Sequence, residues 1–390
     1  MTAETMIAGL ALAVWLYLLV ARGGFWRGED HDGLVLAPAP SGAGWPAVAA
    51  VLPARNEADV VGQAVDSLLR QDYPGQLRVV LVDDQSSDGT GAAALAAAEA
   101  AGASGRLTVL AGQPLPAGWT GKLWAIKQGI SHVEAAPEAP EFLLLSDADI
   151  AYAPDALRRL VARAQSGGLT LASLMAKLRC ESLIERALIP AFIFFFQMLY
   201  PFRWINRPGS RTAGAAGGCM LLRRQALRAA GGIEAIRGEL IDDCALGRRL
   251  KRQGPISLML TERAVSLRRY PHVGEIRRMI ARSAYAQLRF SPLLLAGTAV
   301  GMALTYLAPP LLALFGSAGA RPLAGAAWLL MAFAFQPTLR FYRVSPFWGP
   351  AMPAIAAIYL WFTLDSAWQH RQGRGGLWKG RIQAPGGETR

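Results

Sequence analysis

Apolar residues fall along this chain in two regimes. Between Pro46 and Arg289 they come in short runs closed by polar turns, and outside that interval in long runs with few charges. Residues 48–52, 77–82, 107–110 and 142–146 are short runs rich in Val and Leu, the pattern of strands buried on both faces. Residues 58–70, between the first two, have helical periodicity. Strands alternating with helical stretches predict βαβ units and a mainly parallel sheet in an α/β domain. Such sheets bind ligands beyond the carboxyl ends of their strands.

The long runs predict membrane segments. Residues 6–21 are apolar and uncharged; Glu4 precedes them, and Arg22 and Arg27 follow. A cleaved signal peptide needs a basic start, so the expectation is a retained anchor with residue 22 onward in the cytoplasm. The expected organisation is an anchor at 1–22, a Gly/Pro-rich linker at 23–45, an α/β domain at 46–290, membrane segments at 291–370 and a basic cytoplasmic tail at 371–390. The apolar run 188–202 is short for a span and predicts an interfacial helix or a lid facing an acceptor. Residues 293–315, 323–339 and 347–368 follow. Three full spans would place Arg371, Arg374, Lys379 and Arg381 outside, where such residues do not belong, so one stretch is expected to be re-entrant or interfacial. The last, with Pro346, Pro350, Pro353 and Asp365, is the best candidate.

Composition agrees with a soluble domain joined to membrane segments: 53% apolar residues and a mean hydropathy of +0.26. The net charge is +12, and eleven Lys/Arg against two acids lie between Arg248 and Arg289, beside the apolar run that begins near Pro292. That placement points to an anionic membrane surface on the cytoplasmic side. No nucleic-acid motif is present, so nucleic acid is not an expected partner. Cys180, Cys219 and Cys244 have neither zinc-ligand nor disulfide spacing, and the four histidines are scattered.

The chemistry-bearing residues sit where strands end. Pro53-Ala54-Arg55-Asn56-Glu57 follows the first strand and Asp83-Asp84-Gln85-Ser86-Ser87-Asp88-Gly89-Thr90 the second. A carboxylate there suits a nucleotide's base or ribose; an Asx turn and helix cap is the plainer alternative. Asp147-Ala148-Asp149 follows the fourth strand, and two carboxylates one residue apart can share a divalent metal that holds a diphosphate. Asp30-His31-Asp32 has the same spacing but follows no strand, and is expected to be solvated surface. Lys122, on the Gly-flanked turn 118–122, can neutralise phosphate. Glu239, Asp242 and Asp243 open a helical stretch, where acids complement the helix dipole or serve as a general base.

The ordered segments PARNE, VDDQSSDGT, GWTGKLWA, LLLSDAD, GAAGGCMLLRR and IDDCALGRRLK resemble the family 2 glycosyltransferases with the GT-A, Rossmann-like fold, over about residues 46–290. With the anchor, the apolar C-terminal region and the closing Gly376-Leu377-Trp378-Lys379-Gly380-Arg381, the chain is most similar to the membrane-bound, lipid-acting branch, and within it to the hopanoid-biosynthesis-associated glycosyltransferases. The resemblance implies that Pro53, Arg55, Glu57 and Asp84 hold the nucleotide and that Lys122 lies near the donor. Asp147 would place the sugar-nucleotide and Asp149 would bind Mg2+ or Mn2+ on its diphosphate. Gly217 and Gly218 would line the acceptor side. Asp243 would be the catalytic base, with Asp242 its partner in the acidic pair.

One departure stands out. Many members carry Q-x-x-R-W, where this chain has Met279-Ile-Ala-Arg282-Ser283, which argues against a processive polymer synthase. Ile276, Met279, Ile280 and Leu288 form an apolar stripe opposite Arg278, Arg282 and Arg289, the pattern of an interfacial helix. Arg282 is expected to reach either the diphosphate or lipid phosphate. The expected activity is an inverting transfer from a nucleotide-sugar, a UDP-sugar foremost, to a lipid, in a multi-pass protein of the bacterial cytoplasmic membrane with its catalytic domain facing the cytoplasm. Alternative acceptors are a polyprenyl phosphate, a carotenoid or a glycerolipid. The alternatives from other classes are a non-catalytic nucleotide-sugar-binding or scaffold protein and, least of all, a transporter.

Overall fold

The computed structural model describes residues 2–33, 44–379, 381 and 382. Part of the expected linker (34–43), and residues 380 and 383–390 of the expected tail, lie outside the described residues. Eight strands form one sheet: β1 (Val48–Ala54), β2 (Leu77–Asp83), β3 (Leu107–Ala111), β4 (Phe142–Ser146), β5 (Ile150–Tyr152), β6 (Leu171–Lys177), β7 (Cys219–Arg223) and β8 (Ile256–Ser266). Their order is β3-β2-β1-β4-β7-β6-β8-β5. The first four are parallel, as the short Val/Leu runs predict. The second half is mixed, because β7 runs antiparallel to both β4 and β6, and β5 antiparallel to β8. The register sets Ala54 beside Asp83 and Val51 beside Leu145, so the loops after β1, β2 and β4 leave from one edge of the sheet.

The helix Gly121–Ala135 crosses the sheet under β1 and β2, capped at its start by the Thr120 hydroxyl, which accepts from the Leu123 amide at 3.4 Å. Gly129 allows the close approach: a Cβ there would lie 2.5 Å from Val51 Cγ1. This contact fixes the height of Lys122, at the helix's first turn, above the sheet.

Among the described residues four helices are long and apolar enough to cross a membrane: Ala3–Val20, Leu183–Ile205, Pro292–Phe315 and Ala320–Phe341. Several of their apolar side chains face outward, Leu293, Leu311 and Leu329 among them, which is compatible with membrane association. The fifth long helix, Met352–Arg371, is not one of the four. The apolar run 188–202 belongs to a packed helix rather than a surface lid. Phe194 is fully buried against Phe335, with ring centroids 5.3 Å apart, and Tyr359 Oη donates to Leu188 O at 2.7 Å. Its capping box, Ser182 with Glu185, also ties it to the sheet, because Glu185 accepts from the Tyr270 amide at 2.7 Å. Trp15 Nε1 donates to Thr305 O at 2.8 Å, joining the first helix to the C-terminal group. One apolar core therefore runs from Val51 and Leu143 in the sheet to Met331 and Phe362 in the helices.

Asp30 and Asp32 are not solvated surface. The segment pairs with β8 through Asp32 N to Leu260 O at 3.0 Å and Leu260 N to Asp30 O at 2.8 Å. Asp30 accepts from Asn206 Nδ2 at 3.0 Å, and Asp32 from Thr261 Oγ1 at 2.6 Å. β8 is longer than its neighbour β5, which pairs only with Ala264–Ser266, so the free flank at Leu260 supplies the partners that local sequence did not reveal.

Gly129→Ala gains about 1 kcal/mol of helix propensity but must displace a fully buried, β-branched neighbour in a central strand, which costs about 1–3 kcal/mol. The expected net result is a lower thermal unfolding midpoint in detergent; a raised midpoint would contradict the packing described.

Candidate functional site

The loops after β1 and β2 are locked together. Asn56 and Gln85 both adopt positive φ, 50° and 57°, which turns the two loops toward each other. The Asn56 amide donates to Ser86 Oγ at 3.0 Å, the Ser87 amide to Asn56 Oδ1 at 2.9 Å, and the Glu57 amide to Thr90 Oγ1 at 2.9 Å. Arg55 donates through Nη1 to Asp84 O and Gln85 O. Asp83 and Asp88 take the turn-forming roles: Asp83 accepts from the Ser86 and Gly91 amides, and Asp88 from Ala58 and Thr90. Asp84 is fully buried.

Lys122 is the centre of the second group. Its Nζ lies 2.7 Å from Asp147 Oδ1 and 3.4 Å from Asp242 Oδ2, and its side chain is 10% exposed. At 2.7 Å the gross attraction is about 6 kcal/mol for an effective dielectric near 20, set against several kcal/mol to desolvate each ion. Burial alone would lower the ammonium's pKa; Asp147 and Asp242 outweigh it and hold the pKa above the ordinary range. Asp147 is shifted up by burial, against the pull of Lys122. Asp243 stands beside this group: its Oδ2 accepts from the Gly217 amide at 3.0 Å and its Oδ1 from the Cys244 amide at 2.6 Å. Burial, then the neighbouring Asp242, push the Asp243 carboxyl up to about 6. Gly217 leaves room for both groups, since a Cβ there would sit 3.2 Å from Lys122 Nζ and 3.5 Å from Asp243 Oδ2.

A third group was not foreseen. Arg268, just beyond β8, donates through Nε to Asp149 Oδ2 at 3.1 Å and pairs through Nη2 with Glu57 Oε1 at 2.5 Å. Ser266 Oγ also donates to Asp149 Oδ2, at 3.1 Å. Burial raises the Glu57 pKa, while Arg268 and Lys379 oppose that. Arg268 belongs to the basic stretch 248–289, which the charge pattern assigns wholesale to a membrane surface. The available signal was its place directly after a strand end.

These groups line a single cavity of about 910 Å³. Pro53, Glu57, Lys122, Asp147, Asp149, Gly217, Gly218, Asp243 and Arg282 all reach it. Arg55, Asp84 and Asp242 do not; the first two brace the loops and Asp242 lies behind Lys122. Phe192, Phe196, Met175 and Trp368 give the side toward the helices an apolar wall.

Among the described residues no three His, Cys, Asp or Glu side chains form a group that could hold a metal alone. Asp147 and Asp149 present hard carboxylate oxygens, which suit Mg2+ or Mn2+ when phosphate oxygens and water supply the remaining ligands. The donor set fits a cation held jointly with a diphosphate, not an all-protein cage.

Residues 46–286 match the model of the family described as glycosyltransferase like family 2. No curated protein matches the chain. A mannosyltransferase from Pyrobaculum calidifontis, solved in complex with GDP-Man and Mn2+, is similar over 94% of this chain and 99% of its own, with 20% identity and a TM-score of 0.56. Mannosyl-3-phosphoglycerate synthase from Rubrobacter xylanophilus is similar over 71% of this chain and 81% of its own, with 19% identity and a TM-score of 0.37. Glucosyl-3-phosphoglycerate synthase from Mycobacterium tuberculosis covers 65% of this chain and 84% of its own, with 20% identity and a TM-score of 0.38. At 20% identity the likeness to the Pyrobaculum enzyme is one of fold.

Lys122→Met leaves the buried Asp242 and the half-buried Asp147 without their cation and is expected to cost about 3 kcal/mol. Adding Asp242→Asn should recover part of that loss. Thermal unfolding of the single and double variants checks this, and additive losses would contradict the pairing.

Proposed function

We propose, for a chain that belongs to glycosyltransferase-like family 2, an inverting transfer of a sugar from a nucleotide-sugar to a membrane lipid. The observation that carries the mechanism is Asp243: a half-buried carboxylate with raised pKa, fixed by two backbone amides, in the same cavity as Asp147 and Asp149. A base must hold its proton affinity near the working pH, and this environment supplies that. Asp243 takes the proton of the acceptor hydroxyl as that oxygen forms its bond to the anomeric carbon. The bond from that carbon to the diphosphate oxygen breaks on the opposite face. Asp147, fixed by Lys122, orients the donor sugar, and Asp242 keeps the ammonium in place. Pro53 and Glu57 border the nucleotide, while Arg55 and Asp84 hold the shape of its loop. Arg268 and Arg282 place positive charge where the diphosphate leaves. A divalent ion held by Asp149 would offset the charge developing on that leaving group.

A lipid acceptor is supported by the apolar wall and the adjoining helices. Within that class we favour a hopanoid acceptor, on the motif resemblance, over a polyprenyl phosphate, carotenoid or glycerolipid. The donor is taken to be a UDP-sugar, although the Pyrobaculum relative was solved with GDP-Man. The four apolar helices and the basic flanks support a multi-pass protein of the bacterial cytoplasmic membrane with the domain at 46–290 facing the cytoplasm. An anchor at 1–22, a connection at 23–45, membrane segments at 291–370 and a tail at 371–390 complete the proposed organisation.

Mass spectrometry of membrane lipids with and without the gene should show a hopanoid carrying a hexose-sized or related increment; the increment on another lipid class reassigns the acceptor. Asp243→Asn is expected to lower transfer about 10³-fold and Asp149→Asn about 10²-fold, and wild-type turnover in both would sink the mechanism. Asp243 must be ionised to accept the proton, so the rate should fall as pH drops through about 6 and level off above it. A rate unchanged across that range contradicts its role as base.

A further inference from the structure

The chain returns from its last long helix to the donor side of the cavity. Beyond Met352–Arg371, two short strands, β9 (Leu377–Trp378) and β10 (Arg381–Ile382), pair antiparallel. Lys379 lies in the turn between them with φ of 45°, a left-handed conformation unusual for a side chain of its size. Its Nζ is 2.9 Å from Glu57 Oε1 and donates to Asn56 O at 3.0 Å. Arg55 Nε donates in turn to Lys379 O at 3.3 Å. All three partners belong to the loop after β1, which borders the nucleotide in the reading above.

The charge of the cavity depends on this tail. Among the described residues the lining holds eight Lys/Arg and six Asp/Glu, an excess of two positive charges. Two of the eight, Arg374 and Lys379, lie beyond the last long helix. Without them the lining would be balanced, and an incoming diphosphate would meet no net attraction. Glu57 already has Arg268 as a partner, so Lys379 can leave it without stranding a buried carboxylate.

We propose that Lys379 is a donor-binding residue: the tail forms a wall of the active site, and the ammonium exchanges Glu57 for a phosphate oxygen of the nucleoside diphosphate. This rests on the reading of the cavity as a nucleotide-sugar site. It gives the closing Gly376-Leu377-Trp378-Lys379-Gly380-Arg381 motif a chemical task. An ammonium suits that task, being a compact, mobile charge that can change partners.

The test uses the full-length protein in detergent or nanodiscs, with UDP and GDP, each with Mn2+, as probes. Lys379→Ala should weaken the diphosphate that wild type binds about tenfold, the loss of one charge-assisted hydrogen bond. Lys379→Arg should restore most of it. In transfer, Lys379→Ala should raise KM for the donor and leave kcat little changed. Saturating diphosphate should slow trypsin cleavage after Lys379 in wild type. Unchanged diphosphate affinity in Lys379→Ala, or no rescue by Lys379→Arg, overturns the role of the tail while leaving the transferase reading intact. Failure of wild type to bind either diphosphate overturns both.

Discussion

The ion pair of Lys122 with Asp147, backed by Asp242, is the constraint on which the site depends. It joins three parts of the chain: the start of the helix Gly121–Ala135, the end of β4 and the start of the helix Asp242–Lys251. Lys122 and Asp242 are too deeply buried to stand unpaired, and Asp147 meets them from the half-exposed side. Together they fix Asp147 at the cavity wall and set Asp242 beside Asp243, and that neighbour, with burial, lifts the Asp243 carboxyl. The Gly129 approach to Val51 and the missing Cβ at Gly217 are the packing conditions that let the pair form.

A second balance, of Arg268 and Lys379 against Glu57 and Asp149, completes the donor side. Here cations stand on acids that would otherwise repel a diphosphate. On the proposed reading the two networks divide the labour: one fixes geometry and the base, the other supplies exchangeable positive charge. The apolar wall of Phe192, Phe196 and Trp368 comes from helices that share a core with the membrane-like segments. Charged groups at the sheet edge and an apolar wall therefore meet in one cavity.

The parallel half of the sheet was legible because β1, β2 and β4 are buried on both faces and read as unbroken apolar runs. The mixed half was not. β5 has three residues, and β8 is partly polar where its Thr261 and Arg263 meet Asp32. Nine of the singled-out residues, from Pro53 to Arg282, reach the cavity, and most of them do so because they end a strand or open a helix at the same edge; Arg282 instead closes the helix Val273–Ala281. Arg268 escaped notice because a basic run beside a membrane segment has an adequate lipid explanation, and only tertiary structure turns one of its members inward. Asp30 and Asp32 show the reverse error: polarity in a Gly/Pro-rich stretch suggested solvent, while an open strand edge supplied partners.

The most direct test of the central claim is the anomeric configuration of the product. A base on one face of the sugar and a diphosphate leaving from the other require a single displacement. With an α-linked sugar nucleotide as donor, NMR of the isolated glycolipid should show a β linkage. An α linkage would contradict the proposed single displacement with Asp243 as its base.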